Sequence, residues 1–414
     1  MVYRAGLIGC GGVSRSHSKG LQAARNVELV ALSDVYEPNL KTASEAYGVD
    51  RLYTDFRQMI EQERLDLVNV CTQAPQHAPV VIGAAEAGVK GIICEKPIAM
   101  TPEDADAMIA ACQRAGTKLA INHQTRMIPS TFAAERLIHE GAIGELRIAR
   151  ILDKGRRPAG NSLMEMITHE FDLLRIYAGD PAWISAHLTV GEGGDHHGPQ
   201  RLATSDDIMY SQTALPTDRD CGLVLGDRAS LTMEFGPRAD WHSGLAASLS
   251  SFYQPTGQGH QSWDPNLELI GTDGVLFLGG TSSAVELYLH RGPWAPPGRL
   301  ERIETLARDI APGPFAARGA EAPHHTAMVE ELMASIEEKR EHRSSGYEGR
   351  WALELIMGVY ESHRRGGARV PLPLQHRDHP LERWLADERR PLPEKPERPV
   401  KVLTIRERGV AAPA

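Results

Sequence analysis

The chain has 414 residues, 42% of them hydrophobic, and a formal net charge of -9. That length supports two cores and so two domains, and a mildly acidic balance without a basic stripe argues against nucleic acid as partner. Five cysteines in no paired metal spacing, no apolar run of about eighteen residues and no signal-peptide layout point to a cytoplasmic protein with buried thiols.

The first third alternates two kinds of segment. Arg4 to Ile8, Val27 to Leu32, Leu65 to Cys71, Lys90 to Cys94 and Lys118 to Ile121 are short, apolar and strand-like. Val13 to Ala24, Pro38 to Tyr47, Phe56 to Gln62, Ala78 to Ala87 and Pro102 to Ala115 carry helical patterns between them. Such alternation predicts βαβ units and a parallel sheet covered on both faces.

The first turn, Gly9-Cys10-Gly11-Gly12-Val13-Ser14, reads G-x-G-x-x-S between a strand and a helix. Gly9 permits the tight turn, and Gly11 lets the backbone approach a pyrophosphate at the helix N-terminus. Ser14 is small enough for the helix to pack on the strand. Asp34 ends the second strand, where a carboxylate accepts from ribose hydroxyls and repels a 2′-phosphate. No arginine follows it in Val35-Tyr36-Glu37-Pro38. NAD is therefore expected as cofactor, in preference to NADP.

After the fifth strand comes "CEKP", with Glu95, Lys96 and Pro97, and then a helix start with Thr101 as N-cap and Pro102 in the first turn. Lys96 thus stands at the carboxyl end of a strand, where open α/β sheets bind ligands.

From about residue 123 the character changes. A helix from Thr131 to Glu140 and a strand from Glu145 to Leu152 precede a second helix from about Ser162 to Tyr177. Alternating segments follow: Trp183 to Val190, Asp207 to Ala214, Ala229 to Phe235, Leu245 to Phe252, Leu267 to Ile270, Val275 to Leu278 and Ala284 to His290. They predict a large, mostly antiparallel sheet with one open face. Helices from His324 to Lys339 and Tyr347 to Arg364 close this part, and a proline- and charge-rich segment reads as an extended arm. The expected fold is α/β: a parallel, doubly wound N-terminal domain over 1–123, an α+β domain over 124–374, and the arm over 375–414.

In "SLMEMITHEFDLLR", Glu165, His169 and Asp172 share one helix face, an acid–histidine–acid stripe among apolar residues. A buried polar stripe needs partners or a function. A histidine there has the intrinsic pKa of a general base. Asp172 either binds substrate hydroxyls or pairs with Arg175, and Arg126 either reaches the site or forms a surface ion pair. Lys154, Arg156 and Arg157, in "DKGRRPAGN", either meet an anionic substrate group or form a solvated basic loop. His196-His197 and His324-His325 share no ligand spacing with other metal-binding types, so no metal is expected.

The G-x-G turn, "VNVCTQAPQHAPV", "CEKP", "AIGELRIARI", "THEFDLL", "GTDGVLFL" and the terminal "SGYEGRWALELI" appear in the order found in the glucose–fructose oxidoreductase, inositol dehydrogenase and MocA family, which this chain resembles over about residues 3 to 374. The resemblance implies a Rossmann domain, an α/β domain whose open sheet makes subunit contacts, and NAD(P)-dependent oxidation of a sugar, inositol or related polyol. It implies that Lys96 faces the nicotinamide and the substrate hydroxyl, that His169 takes the hydroxyl proton with Glu165 orienting it, and that Thr72 and His77 lie near the nicotinamide. It leaves two other readings open: an NAD-dependent glycosidase working by transient oxidation, and a non-catalytic NAD-binding sensor. The expected partners are a small polyhydroxylated substrate and further copies of the chain, as dimer or tetramer, with no membrane contact.

Overall fold

The computed structural model describes residues 2–152, 163–189, 200–201, 223–226, 228–235, 245–252, 265–281, 284–292, 301–303 and 323–389. The expected strand at Asp207 to Ala214, Lys154, Arg156, Arg157 and the His196-His197 pair lie outside them.

The first sheet has six parallel strands, β1 (Tyr3–Ile8), β2 (Val27–Ser33), β3 (Leu52–Tyr53), β4 (Leu67–Val70), β5 (Gly91–Cys94) and β6 (Lys118–Ile121), in the order β3-β2-β1-β4-β5-β6. The order reverses between β1 and β4, which opens a crevice at their carboxyl ends. Sequence reading found five of these strands. The sixth, β3, is a two-residue edge strand, too short to show a period. Helices α1 (Ser14–Ala23), α2 (Glu37–Tyr47), α3 (Phe56–Glu63), α4 (His77–Glu86) and α5 (Pro102–Ala115) connect the strands. Thr101 caps α5, its hydroxyl accepting from the Asp104 amide at 3.1 Å.

After α6 (Pro129–His139) comes β7 (Leu146–Leu152). Leu163–Ile167 forms a π-helical turn that runs into α7 (Thr168–Ala178). The expected single α-helix therefore begins with a wider turn, a form frequent at functional sites. The second sheet comprises β7, β8 (Pro181–Thr189), β11 (Arg228–Phe235), β12 (Leu245–Phe252), β13 (Pro265–Gly271), β14 (Gly274–Thr281), β15 (Ala284–Arg291), β16 (Glu301–Ile303) and β17 (Val370–Pro371). Their order is β16-β15-β14-β13-β7-β12-β11-β8-β17, and β7 with β12 is the parallel pair among otherwise antiparallel neighbours. Two-residue strands β9 (Gln200–Arg201) and β10 (Leu223–Val224) pair separately.

On one face of this sheet Leu231, Met233 and Phe235 are buried, and Ser230, Thr232 and Glu234 alternate outward. The apolar positions of "ASLTMEF" thus belong to the core and leave no open apolar patch. The open face is apolar elsewhere, where Ile148 is 41% exposed and pairs with Ile270, which pairs with Val275.

Two late elements depart from the expected domain order. Helix α8 (Pro323–Glu337) lies on the first sheet, with Met328, Val329 and Leu332 in one core with Leu7, Leu21, Leu67 and Ile93. Helix α9 (Gly346–Arg364) packs on both sheets: a Cβ on Gly349 would meet Ile121, and one on Gly358 would meet Ile184. The segment after Leu374 is not wholly extended. Pro380–Asp387 forms α10, which buries Leu381 and Leu385, since its apolar residues fall at helical spacing. Among the described residues no helix is long and apolar enough to cross a membrane.

Candidate active site

Gly9 ends β1 with φ +89, and a Cβ there would lie 2.6 Å from the Cys71 carbonyl carbon. Only glycine allows this conformation and this approach of β1 to the end of β4. A Cβ on Gly11 would meet nothing within 4 Å, so the backbone there borders open space. Ser14 closes the turn: its hydroxyl donates to the Gly11 carbonyl at 2.5 Å. No side chain caps the first turn of α1, so Gly12, Val13 and Ser14 present a helix N-terminus suited to an anion.

The Asp34 carboxylate accepts from the Cys10 amide at 2.7 Å, the Tyr36 amide at 2.9 Å and Asn39 Nδ2 at 3.3 Å. Three donors fix its position, and a carboxylate has about four acceptor sites, so it still takes a hydroxyl. Beside it Val35 is 91% exposed, an apolar surface at the same edge. At the other end of the crevice Thr72 Oγ1 is buried with no hydrogen-bond partner. An open glycine turn, a fixed carboxylate and an orphaned hydroxyl fit a dinucleotide laid across the strand ends.

His77 differs from expectation. It is fully buried, with Nδ1 2.9 Å from the Pro97 carbonyl oxygen and Nε2 3.1 Å from that of Thr72. Burial pushes its pKa down against the pull of these carbonyls. Its ring holds the Thr72 and Pro97 backbones rather than reaching a cofactor. Glu95 is likewise buried and taken up by protein partners, so it supports Lys96 from behind. The Lys96–Pro97 peptide is cis.

Lys96 leaves the end of β5 and reaches the π-turn before α7. Its Nζ donates to the Glu165 main-chain carbonyl at 2.9 Å and to Glu165 Oε2 at 3.2 Å, and its side chain is 11% exposed. His169 stands one turn after Glu165, half-buried, with its ring edge-on to His123 at 5.4 Å between centroids. His123 Nε2 lies 2.9 Å from Thr168 Oγ1, and its Nδ1 lies 3.5 Å from Asp172 Oδ1. Burial, with the charges of Arg126 and Lys96, pushes the His123 pKa down despite Asp172.

Arg126 and Asp172 pair with each other. They are buried together, Arg126 Nε donating to Asp172 Oδ2 at 2.7 Å. Arg126 also pairs with Glu348 at 2.8 Å, and Arg175 pairs with Glu348 and Asp180. Burial opposes the Asp172 charge, but Arg126 and His123 hold its carboxyl below the usual range. This network ties α7 to α9. Breaking such a buried pair leaves an uncompensated charge.

Sequence reasoning missed a buried cluster behind Glu95. His17 on α1, Asn122 after β6 and His325 on α8 surround it. A signal for His17 was available: it shares a helix face with Ser14, Ser18 and Leu21, which are all buried. Among the described residues, His17, Glu95 and His325 are the group whose ligand atoms converge, within 4.8 Å of one another. Asn122 Nδ2 sits among them, 2.6 Å from Glu95 Oε1, 3.2 Å from His17 Nε2 and 3.3 Å from His325 Nε2, so an amide donor already serves the position a cation would take.

Residues 3–123 match the family described as "Oxidoreductase family, NAD-binding Rossmann fold". The chain is 43% identical over 142 residues to D-apiose dehydrogenase of Paraburkholderia graminis, covering 34% of this chain and 38% of the relative. It is 30% identical over 185 residues to myo-inositol 2-dehydrogenase of Thermotoga maritima, covering 43% and 55%. These matches span about half or less of either relative. Among solved structures, an NAD-binding oxidoreductase from Klebsiella pneumoniae superposes with TM-score 0.70 at 18% identity, covering 90% of this chain and 99% of that one. Levoglucosan dehydrogenase in complex with NADH and levoglucosan gives 0.68 at 20% identity, covering 90% and 100%. At such identities they share the fold.

Proposed function

Through residues 3–123 the chain belongs to the glucose–fructose oxidoreductase, inositol dehydrogenase and MocA oxidoreductase family, and from that premise we propose that it is an NAD-dependent dehydrogenase of a secondary hydroxyl on a sugar, inositol or related polyol. The observation that carries this is Lys96, a nearly buried ammonium at the carboxyl end of β5, held by Glu165 from the helix beneath the second sheet. The relatives named for apiose, inositol and levoglucosan support a polyhydroxylated substrate.

The glycine turn and the N-terminus of α1 would hold the pyrophosphate, Asp34 the adenosine ribose, and Thr72 Oγ1 a polar group at the far end. Bound NAD supplies the hydride acceptor. An ammonium has three donors, and two of those of Lys96 go to Glu165. The third is available for the substrate oxygen, where a fixed positive charge stabilises a developing alkoxide. His169, as the neutral imidazole, takes the hydroxyl proton. Glu165 orients the ammonium.

The test is incubation of the purified protein with NAD and a panel of aldoses, inositols, anhydrosugars and glycosides. The expected result is NADH accumulating with at least one polyol. Aglycone released from a glycoside without net NADH would replace this reading with a hydrolytic one, and NAD binding without turnover of any kind would leave a sensor.

A further inference from the structure

Glu95 stands one residue before Lys96, and its side chain is the centre of a hydrogen-bonded cluster drawn from four separate segments. Its Oε1 accepts from His17 Nε2 at 2.8 Å and from Asn122 Nδ2 at 2.6 Å. Asn69, on β4, donates through Nδ2 to His17 Nδ1 at 3.0 Å. Counting hydrogens fixes the directions. With Nδ1 accepting, His17 carries its hydrogen on Nε2 and gives it to Glu95. The two hydrogens of Asn122 then go to Glu95 and to His325. Burial, then the neighbouring His17, pushes the His325 pKa down to about 3, which leaves its ring neutral and able to accept. The carboxylate orients Asn122, since a reversed amide would set Oδ1 against Glu95.

The cluster is ionic at its centre. Burial disfavours the Glu95 charge, but the hydrogen bond from His17, the charge of Lys96 and the Asn122 amide hold its carboxyl well below the usual carboxylate range. His325 comes from the far end of the chain. It is brought in because α8 lies against α1 at Gly20, where a Cβ would fall 2.7 Å from that of His325.

We propose that this cluster is a positioning device for Lys96, with His325 its remote member. The backbone that carries the ammonium leaves Glu95 directly, so anchoring the Glu95 side chain to His17 of α1 and to Asn122 after β6, which Asn69 of β4 and His325 of α8 hold in turn, fixes where the lysine stem begins. The inference deepens the dehydrogenase reading and rests on Lys96 meeting the substrate hydroxyl. Misplacing a reacting group by about 1 Å can cost on the order of 10²-fold in rate. His17, Asn122 and His325 are positioning residues here, not catalytic ones.

Competitive acetylation of lysines, read by peptide mass spectrometry, reports how firmly Lys96 is seated without substrate or cofactor. In His325→Ala the labelling rate of Lys96 is expected to rise about fivefold, the effect of losing one hydrogen bond between neutral groups. Lys90, paired with Asp66 at 2.7 Å, serves as the internal standard and stays constant. His325→Asn, which keeps an acceptor for Asn122, is expected to restore slow labelling. Asn122→Ala gives the same readout from the other side should His325→Ala not fold. Unchanged Lys96 labelling in either folded alanine variant overturns the proposal, as does a uniform rise over all lysines, which marks a merely structural helix. If Lys96 responds as expected in a protein inactive on every polyol, the positioning device stands and the dehydrogenase reading is what falls.

Discussion

The Lys96 ammonium is held by Glu165 twice, through the main-chain carbonyl at 2.9 Å and the carboxylate at 3.2 Å. One residue ends a strand of the first sheet; the other sits in the π-turn that leads into the helix of the second. The pair joins the two sheets where the crevice meets α7.

Lys96→Ala is expected to lower turnover by about 10²–10³-fold, the usual cost of removing one fixed donor to a developing oxyanion. NAD affinity is expected to change less than about threefold, because the loss falls on the transition state. Glu165→Gln keeps an acceptor and the main-chain carbonyl, so its cost is expected to be smaller than that of Lys96→Ala. Steady-state kinetics with calorimetric NAD titration separates these outcomes. Near wild-type turnover in Lys96→Ala would remove the lysine from the mechanism.

His169→Ala is expected to cost about 10²–10⁴-fold in turnover, the range for a general base. The loss should not multiply with that of Lys96→Ala, since residues acting as a unit are strongly non-additive. The wild-type rate should rise with pH on its acid limb, because only the neutral imidazole accepts the proton. A pH–rate profile of the wild type, with the double mutant alongside, checks both points. Full multiplication of the two losses would show that they act separately.

Cofactor choice follows from Asp34. Its carboxylate is fixed by the Cys10 and Tyr36 amides, so it cannot swing away from a 2′-phosphate. NAD is expected to bind at least about tenfold tighter than NADP, a difference of ~1.4 kcal/mol. Asp34→Ala should narrow the gap. Equal calorimetric affinities in the wild type would contradict the assignment.

The sequence made the parallel sheet legible because each strand is a short apolar run and each helix has its own period and cap. It made the ligand-binding turn legible because Gly9 and Gly11 sit where the backbone leaves no alternative. Glu165 and His169 were legible as neighbours through helical spacing, and Lys96 as their companion through the family resemblance. What it hid was contact between distant segments. Asp172 was legible as a polar group on an apolar helix and Arg126 as either a site residue or one of an ion pair, but their shared partner Glu348, from an element 176 residues after Asp172, was not. The partners of His325 were hidden, since nothing local shows that α8 returns to the first sheet. The helix Pro380–Asp387 was lost among prolines and charges.

Assembly is expected through the open face of the nine-stranded sheet. The cross-strand row Ile148, Ile270 and Val275 is apolar, and Phe277 and Tyr288 pair beside it. The next row across that face holds Arg150 opposite Glu268, a pair able to fix register with a second copy. Light scattering at micromolar concentration is expected to give a dimer or tetramer of the 45.3 kDa chain. Ile148→Glu should shift it toward monomer, because a charge on this row would be buried unpaired. A wild-type monomer would show that the row is left open to solvent.

Acid should destabilise the fold before its carboxylates titrate. Burial, opposed by Glu331 and the Met328 carbonyl, pushes the pKa of His342 down from the ordinary histidine value to about 4, and burial with His17 pushes that of His325 down to about 3. In each case the native state resists a proton that the unfolded chain accepts. The sign follows: between about pH 6.5 and pH 4 the unfolded state binds more protons, so stability falls as pH falls. The contribution is fully present above the unfolded pKa and is lost on approach to the folded one. For His342 alone the loss at pH 5 is on the order of 2 kcal/mol. Thermal unfolding at pH 7.5, 6 and 5 is expected to show a Tm that drops steadily, and His342→Gln should flatten part of that slope even if it lowers the Tm at pH 7.5. A Tm constant down to pH 5 would mean that these rings are protonated in the native state, and the neutral acceptor assigned to His325 would be lost with it.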